Sequence, residues 1–180
     1  MDKFYQINIA GLERELPICK LNDELSIAGF IMFGDVELTE ACAKELLKRI
    51  GDDFDYIVTP EAKSIPLAYE MSKISGKKYI VVRKKAKVYM QNPVSINVQS
   101  ITTKSEQTLY LDGAEGELIR GKKIIIVDDV ISTGESLAAV EQLVDKFDVV
   151  TVAKAAVLAE GDAADRPDIV CLGELPLFKN

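Results

Sequence analysis

One stretch constrains the fold of this chain more than any other: residues 123–136 read KIIIVDDVISTGES. The aliphatic run is typical of a strand that is buried on both faces of a parallel sheet. It ends in Asp128 and Asp129, and the chain then turns through small hydroxyl residues around Gly134. Two carboxylates at the end of a dry strand cost free energy unless they accept hydrogen bonds or pair with cations. The pattern therefore indicates a polar ligand site at this strand end.

The remainder of the chain alternates between helical and strand patterns. In chain order they are helix 36–50, strand 55–60, helix 65–75, strand 78–84, strand 107–112, strand 123–129, helix 135–147 and strand 149–159. Residues 86–105 lack a helical period and predict a long loop or an exposed hairpin. This order predicts an α/β fold, a Rossmann-like and mostly parallel sheet flanked by helices. Because ligands collect at the carboxyl ends of such strands, we expect residues 60–64, 83–87 and 128–136 to converge there.

Composition limits the kinds of function. A chain of 180 residues, 48% apolar and 28% charged, predicts one soluble globular domain. It has no run near the ~18 apolar residues of a membrane helix and no signal-peptide pattern, so we expect a cytoplasmic protein without a membrane partner. The absence of histidine excludes His-based triads and His-ligated zinc, so any metal is a hard ion such as Mg²⁺. The three distant cysteines predict neither a disulfide nor a CxxC metal site.

Charge is spread unevenly along the chain. The net charge of −7 argues against nucleic-acid binding. From Met71 to Ser105, however, there are eight basic residues and no acidic ones, a local sum of +8. Such an island suits a small polyanion, although a solvated basic face without a ligand gives the same pattern.

The turn after the acidic pair has two interpretations. Ser132 and Glu135 have the spacing of a capping box, which begins a helix without any ligand. A helix that begins near Gly134 also offers unpaired N–H groups and its positive dipole end to a phosphate. Sugar hydroxyls are suitable donors to the two carboxylates, so acids and turn together describe a ribose 5-phosphate site. The common nucleotide signatures GxxxxGK[ST] and GxGxxG do not occur.

The stretch IIVDDVISTGES closely resembles the signature of type I phosphoribosyltransferases. In that family the acidic pair holds the ribose hydroxyls of phosphoribosyl pyrophosphate (PRPP), and the following turn binds its 5-phosphate. The resemblance implies that the diol is held by Asp128 and Asp129, and that the phosphate is held by Ser132, Thr133, Gly134, Glu135 and Ser136. Asparagine at either acidic position is expected to weaken PRPP binding and to leave the fold intact.

Two further segments resemble the pyrophosphate-binding parts of the same family. DYIVTPEAKSIPLAYEM resembles its first loop, which implies a role for Ala62, Lys63 and Ser64 and a cis peptide bond at Ala62–Lys63. VVRKKAKVYM resembles its basic tract, which makes Arg83, Lys84 and Lys87 further pyrophosphate candidates. The resemblance also implies Mg²⁺ held mainly through the substrate, with no direct protein ligand, and it identifies no catalytic residue.

The family acts on several nucleobases, and the motifs favour adenine. Ser132 stands where the hypoxanthine-guanine enzymes carry an aspartate, whereas adenine enzymes have a small residue there. The adenine enzymes carry a glutamate-tyrosine-glycine motif in a mobile hairpin loop, in roughly the region where this chain reads Lys104-Ser105-Glu106. Their small N-terminal hood carries a phenylalanine-basic-aspartate stretch, where this chain reads Phe33-Gly34-Asp35. Xanthine and orotate transfer therefore stay open, as does a non-catalytic PRPP-sensing regulator.

The expected organisation is a single phosphoribosyltransferase domain, 1–180, with a hood at 1–35, a core at 36–160 and a C-terminal strand or tail at 161–180. Family members are commonly homodimers, so a homodimer that binds PRPP and a nucleobase is expected. An apolar cluster in the hood region either stacks on the base or belongs to the core: Tyr5, Phe30, Met32 and Phe33.

Overall fold

The computed structural model describes residues 4–99 and 106–179. The strands are β1 (Phe4–Ile9), β2 (Leu12–Lys20), β3 (Leu25–Ala28), β4 (Tyr56–Pro60), β5 (Lys78–Val82), β6 (Val94–Gln99), β7 (Glu106–Leu111), β8 (Lys123–Ile131), β9 (Val150–Glu160), β10 (Ile169–Leu175) and β11 (Leu177–Lys179). The α-helices are α1 (Val36–Ile50), α2 (Ile65–Ser75), α3 (Gly113–Ile119) and α4 (Glu135–Val144).

The centre of the molecule is a five-stranded sheet in the order β10-β9-β8-β4-β5, and every neighbouring pair is parallel. Alternate residues of β8 enter two different cores. Ile125 and Val127 pack towards α1, α2 and the N-terminal strands, whereas Ile124 and Ile126 pack towards α4 and the β6–β7 hairpin. The sheet is therefore covered on both faces, which confirms the predicted α/β fold and explains why its strands are aliphatic throughout.

Strands β1, β2 and β3 build a separate antiparallel sheet with β11, in the order β1-β2-β3-β11. Because β10 lies in the central sheet and β11 in this one, the described part of the predicted tail, residues 161–179, divides between the two sheets. The guanidinium of Arg14 on β2 lies 2.7 Å from the carboxylate of Asp35, the N-cap of α1. This ion pair holds the N-terminal sheet against the start of the first core helix.

The predicted helices 36–50 and 65–75 form with those bounds. The predicted helix 135–147 ends earlier, because α4 stops at Val144 and a 3₁₀ turn covers 145–147. Helix α3 was not predicted. Its sequence GAEGELI is only seven residues long and contains two glycines, which disfavour helix. Gly116 is nevertheless required there, since a Cβ atom would lie 2.1 Å from the ring of Phe147.

The segment 86–105 contains the first strand of a hairpin, as one of the two predictions had it. Strand β6 pairs antiparallel with β7, with Val94 opposite Leu111. Lys104 and Ser105, which we compared with the mobile-loop motif of the adenine enzymes, lie outside the described residues. Among the described helices, none is both long and apolar enough to cross a membrane.

Candidate functional site

The carboxyl ends of β4 and β8 open into a cavity of about 500 Å³. The turn after β8 lines one side of it, and the loop after β4 lines the other. The predicted site residues along its wall are Ala62, Lys63, Lys84, Asp128, Asp129, Ser132, Thr133, Gly134, Glu135 and Ser136. Segments that are some 70 residues apart in the sequence thus meet at one edge of the sheet, as parallel topology requires.

Asp128 and Asp129 both lie within the last part of β8. The Asp129 side chain is buried, and its backbone N–H donates to Oδ1 of Asp128 at 2.8 Å. Burial raises the pKa of the Asp128 carboxyl to about 7, and the neighbouring Asp129 carboxyl adds to the rise. The Asp129 N–H and the Lys63 ammonium act in the opposite direction. A further hydrogen-bond donor or cation beside the Asp128 carboxyl would therefore stabilise its charged form.

Lys63 supplies one charge partner for this pair. Its Nζ lies 2.7 Å from Oδ2 of Asp129, and half of the Lys63 side chain stays exposed. The contact lacks hydrogen-bond geometry, so this buried Oδ2 accepts no hydrogen bond from the described residues. The acidic pair is thus not enclosed by salt bridges, and the cavity leaves room for hydroxyl donors beside it.

The turn before α4 does not form the capping box that Ser132 and Glu135 allow. Gly134 is the N-cap, with φ at 80°, and Glu135 is the first helical residue. The backbone N–H of Glu135 donates to the hydroxyl of Thr133 at 3.3 Å. Because the helix begins at the cavity wall, its first-turn amides and its dipole point to this space, which favours an anion there.

Arg166 lies beside this turn in the folded protein, and the sequence did not predict it there. A Cβ atom on Gly134 would lie 2.6 Å from Nη1 of Arg166, so a larger residue would displace the end of that side chain, and the φ of 80° at position 134 itself favours glycine. The other two nitrogens of the guanidinium hold Asp168 at 3.0 and 2.7 Å. The contact joins a turn at 134 to a loop at 166, and neither segment carries a local signal for it.

Only some of the predicted pyrophosphate residues in the loop after β4 face the cavity. Ala62 and Lys63 line the cavity, but Ser64 is buried with its hydroxyl turned inward to the carbonyl of Pro60. The predicted cis bond at Ala62–Lys63 is wrong by one position, since the cis bond joins Glu61 and Ala62. Neither bond precedes a proline, so the sequence has no local feature that separates the two.

The basic tract is divided in the same way. Lys84 lines the cavity, whereas Arg83 and Lys87 do not. Arg83 instead bonds Glu61, with Nε 3.1 Å from Oε2, and Glu61 also accepts from the backbone N–H of Lys84 at 3.0 Å. The Lys84 N–H and then Arg83 lower the pKa of the Glu61 carboxyl. Glu61 also lines the cavity and was overlooked, although its position directly before the predicted residues 62–64 was a usable signal.

The basic island seen in the sequence is not one surface. Lys77 and Lys78 lie at the amino end of β5, whereas Arg83 and Lys84 follow its carboxyl end. Parallel strands put these two ends on opposite edges of the sheet. The local sum of +8 therefore does not act on a single ligand.

The four candidates for base stacking do not line this cavity. Phe30 and Met32 belong to the core, as the alternative interpretation had it. Tyr5 packs against Phe178 with ring centroids 5.6 Å apart, and Phe33 is exposed. A second cavity of about 430 Å³, between the starts of α1 and α2, includes Met32 in its wall.

Among characterised proteins, the chain is 33% identical over 130 residues to a hypoxanthine/guanine phosphoribosyltransferase of Methanococcus voltae, covering 72% of this chain and 66% of that protein. The corresponding protein of Methanothermobacter thermautotrophicus is 36% identical over 121 residues, covering 64% and 59%. That of Ferroglobus placidus is 32% identical over 163 residues, covering 82% and 83%. The chain thus spans slightly less than two thirds of the first two relatives.

Solved structures show the same fold at lower identity. Adenine phosphoribosyltransferase from Thermoanaerobacter pseudethanolicus superposes with a TM-score of 0.68 at 21% identity, covering 79% of this chain and 84% of that one. The Trypanosoma brucei enzyme, solved with AMP, pyrophosphate and ribose-5-phosphate, gives 0.60 at 19% identity, covering 77% and 64%.

The sequence profile of one domain family covers the central sheet and the cavity together. It matches residues 36–173, more than half of the chain, and it describes the phosphoribosyl transferase domain. The resemblance inferred from the strand-end motif is thereby confirmed, and the chain belongs to the phosphoribosyl transferase domain family.

Proposed function

We propose that this chain is a purine phosphoribosyltransferase, which moves the phosphoribosyl group of PRPP to a purine ring nitrogen and releases pyrophosphate. One observation carries the proposal: a single cavity is lined by the buried acidic pair, by the turn at the start of α4 and by Lys63 and Lys84. These are the acceptors for a diol, the donors for a phosphate and the cations for a pyrophosphate, arranged around one space.

Each part of PRPP has a matching group in the cavity. The ribose hydroxyls donate to Asp128 and Asp129, and the 5-phosphate accepts from the turn 132–136, where the helix dipole favours its charge. The leaving pyrophosphate lies towards Lys63 and Lys84. Ser64, Arg83 and Lys87 stay predictions for the pyrophosphate, although Ser64 faces inward and Arg83 holds Glu61 in this structure.

Displacement at C1 of the ribose passes through a state with positive charge on the sugar ring. The protein therefore has to orient the two reactants and to stabilise the leaving pyrophosphate, and it needs no histidine for either task. Because Asp129 at the strand end is only 3% exposed, charge interactions on that side of the cavity are less screened than in bulk water. Lys63 is well placed for both tasks, because it stands between the diol acceptors and the pyrophosphate side.

Mg²⁺ fits this donor set as a partner of the substrate. The oxygens available are the carboxylates of Asp128 and Asp129, which hard ions prefer, although Oδ2 of Asp129 already lies 2.7 Å from the Lys63 ammonium. No group of three or more ligand-type side chains occurs in the described ranges. We therefore propose that the ion is held mainly through oxygens of PRPP, where it would neutralise charge on the leaving group.

The choice of purine base has two candidates. Adenine is favoured by Ser132, because the adenine enzymes have a small residue at that position. Hypoxanthine or guanine is favoured by the relatives named above, which share at least 32% identity with this chain. The adenine enzymes among the solved structures share too little identity to argue for a base.

We also propose that the protein is a cytoplasmic homodimer. Exposed apolar side chains gather near the second cavity, and a second copy of the chain would cover them: Phe33, Val36 and Tyr69.

The decisive experiment measures pyrophosphate release from PRPP and Mg²⁺ with adenine, hypoxanthine, guanine, xanthine or orotate in turn. We expect release with one or two of the purines, and none from the Asp128→Asn variant. Binding of PRPP without release for any base would identify a PRPP sensor. Failure to bind PRPP would overturn the proposal.

A further inference from the structure

The sheet opens at the place where the cavity begins. Backbone pairing between β4 and β8 runs from Tyr56 opposite Ile124 to Val58 opposite Ile126 and goes no further. The next carbonyl of β8, that of Val127, accepts from the hydroxyl of Thr59 at 2.9 Å. A side chain of β4 thus takes over the link between the strands where their backbones separate.

Ser64 completes this link from the other side. It is the N-cap of α2, yet its side chain makes no capping hydrogen bond, although serine is among the best capping residues. Its hydroxyl oxygen lies 2.7 Å from that of Thr59 and 3.1 Å from the carbonyl of Pro60. Helix α2 therefore begins without a side-chain cap, because the Ser64 hydroxyl contacts groups in the protein interior instead.

Both hydroxyls are inaccessible to solvent, at 0% exposure for Thr59 and 1% for Ser64. Neither residue lines the cavity, so neither hydroxyl faces a ligand there. Because a buried hydroxyl without a partner is costly, any shift of the loop away from β8 is opposed by these contacts.

The two hydroxyls stand directly behind the groups that face the cavity. Ser64 follows Lys63 in the loop, and Val127 precedes Asp128 in β8. Across the gap, Nζ of Lys63 lies 2.7 Å from the carboxylate of Asp129. The hydroxyl pair therefore lies between the loop that carries Lys63 and the strand end that carries the acidic pair.

We propose that Thr59 and Ser64 are positioning residues, whose buried hydroxyl pair holds the pyrophosphate loop at a fixed distance from the acidic strand end. This inference rests on the proposed function, and it reassigns Ser64 from a pyrophosphate ligand to a support of the loop. The pair acts on the Lys63 side of the cavity and leaves the turn before α4 untouched.

The test measures two ligands separately, pyrophosphate and ribose 5-phosphate, by calorimetry on the full chain. Thr59→Val keeps the shape of the side chain and removes its hydroxyl, and Ser64→Ala removes the other. We expect each variant to bind pyrophosphate roughly three- to tenfold more weakly, the loss of one hydrogen bond, and ribose 5-phosphate within about twofold of the wild type. Thr59→Ser, which keeps the hydroxyl, should restore pyrophosphate binding.

Ser75→Ala is the matched control, because its hydroxyl bonds the carbonyl of Met71 at the far end of α2. We expect this variant to bind both ligands as the wild type does. Equal losses for both ligands, or a lower melting temperature with unchanged binding, would show a merely structural role and overturn the inference. A wild-type chain that binds neither ligand would overturn the proposed function first, and this inference with it.

Discussion

Two strand-to-helix turns face each other across the cavity, and they are built in opposite ways. The turn after β8 is shaped by the backbone: Gly134 takes a φ of 80°, and Glu135 begins α4 without the capping box that the spacing of Ser132 and Glu135 allows. The loop after β4 is shaped by side chains. Thr59 and Ser64 hold it from inside, and Glu61 binds Arg83 and the Lys84 amide at its rim.

This difference follows from what each turn faces. A turn that presents amides to an anion needs close backbone approach, and glycine with small hydroxyl residues provides it. A loop that presents one flexible ammonium has to place a long side chain, so rigidity must come from contacts around its base. We therefore expect backbone changes in the turn after β8 to weaken ligand binding most. Loss of single polar groups in the loop after β4 should weaken it moderately.

The largest effect is expected from Gly134→Ala. The left-handed conformation costs alanine about 1–2 kcal/mol, and the new Cβ would lie 2.6 Å from Arg166 Nη1. We expect the turn to shift. The shifted turn should also lose amide donors to the phosphate, and each such hydrogen bond to a charged group is worth about 1.5–3 kcal/mol. We therefore expect ribose 5-phosphate to bind roughly a hundredfold more weakly, as calorimetry would show.

Gly121→Ala is the control for the backbone cost alone, since Gly121 has a φ of 65° and no other atoms near its missing Cβ. It should lose a similar amount of stability and retain ribose 5-phosphate binding. Equal binding by the two variants would contradict the backbone account of the phosphate turn.

Asp128→Asn and Asp129→Asn should each weaken ribose 5-phosphate binding by about 10- to 100-fold, since a charged acceptor of a sugar hydroxyl is lost. Calorimetry on the two variants measures this directly. Normal binding by both would mean that the acidic pair serves the fold and not a ligand.

Asp128→Asn should also stabilise the protein in alkaline solution. The pKa of Asp128 is raised to about 7 in the folded state, so folding is favoured while this carboxyl is protonated. That contribution is complete below about pH 4 and is lost as the pH rises to about 7. We expect the melting temperature of the variant to exceed that of the wild type at pH 8 and to equal it at pH 4, as thermal melts would show. A lower melting temperature at pH 8 would refute the assignment of a raised pKa.

Lys63→Met should reduce pyrophosphate binding about tenfold, because one charge-assisted contact is removed. It should also raise the pKa of Asp128 further, since Lys63 opposes that rise. Lys78→Met removes the same charge at the other edge of the sheet and should leave binding unchanged. If both variants lose affinity equally, net charge and not the position of Lys63 determines binding.

The smallest effect is expected from Glu61→Gln. Its partner Arg83 lies 3.1 Å away, and both side chains are about one quarter exposed, so the pair contributes at most ~1 kcal/mol. The pKa of Glu61 is lowered in the folded state, so this stabilisation is present at neutral pH and is lost in acid. The melting temperature of the variant should be lower than that of the wild type by at most roughly 2–4 °C at pH 7, and the two should be equal at pH 3. Identical melts at pH 7 would show that the side-chain pair does not support the loop.

The fold was predictable because its signals are local. The aliphatic runs of β4, β5, β8 and β9 and the periodic pattern of α1 recur within each segment, and their order fixes a parallel sheet. Helix α3 was missed for the same reason, since its two glycines give no helical signal. The cavity wall was predictable in part. Parallel topology brings the carboxyl ends of the strands to one edge of the sheet, but it does not determine which side chains point into the cavity.

From its sequence alone, this protein was bound to have an α/β fold, an acidic strand end and a glycine turn before a helix. Only the tertiary structure decided which polar groups face the cavity. In the fold, the Ser64 hydroxyl faces inward, Arg83 pairs with Glu61, and Arg166 lies beside Gly134. The basic residues at the two ends of β5 lie on opposite edges of the sheet. The reason is physical: local propensity sets the path of each segment, whereas the direction of a side chain depends on neighbours such as Thr59 and Val127, which are 68 residues apart.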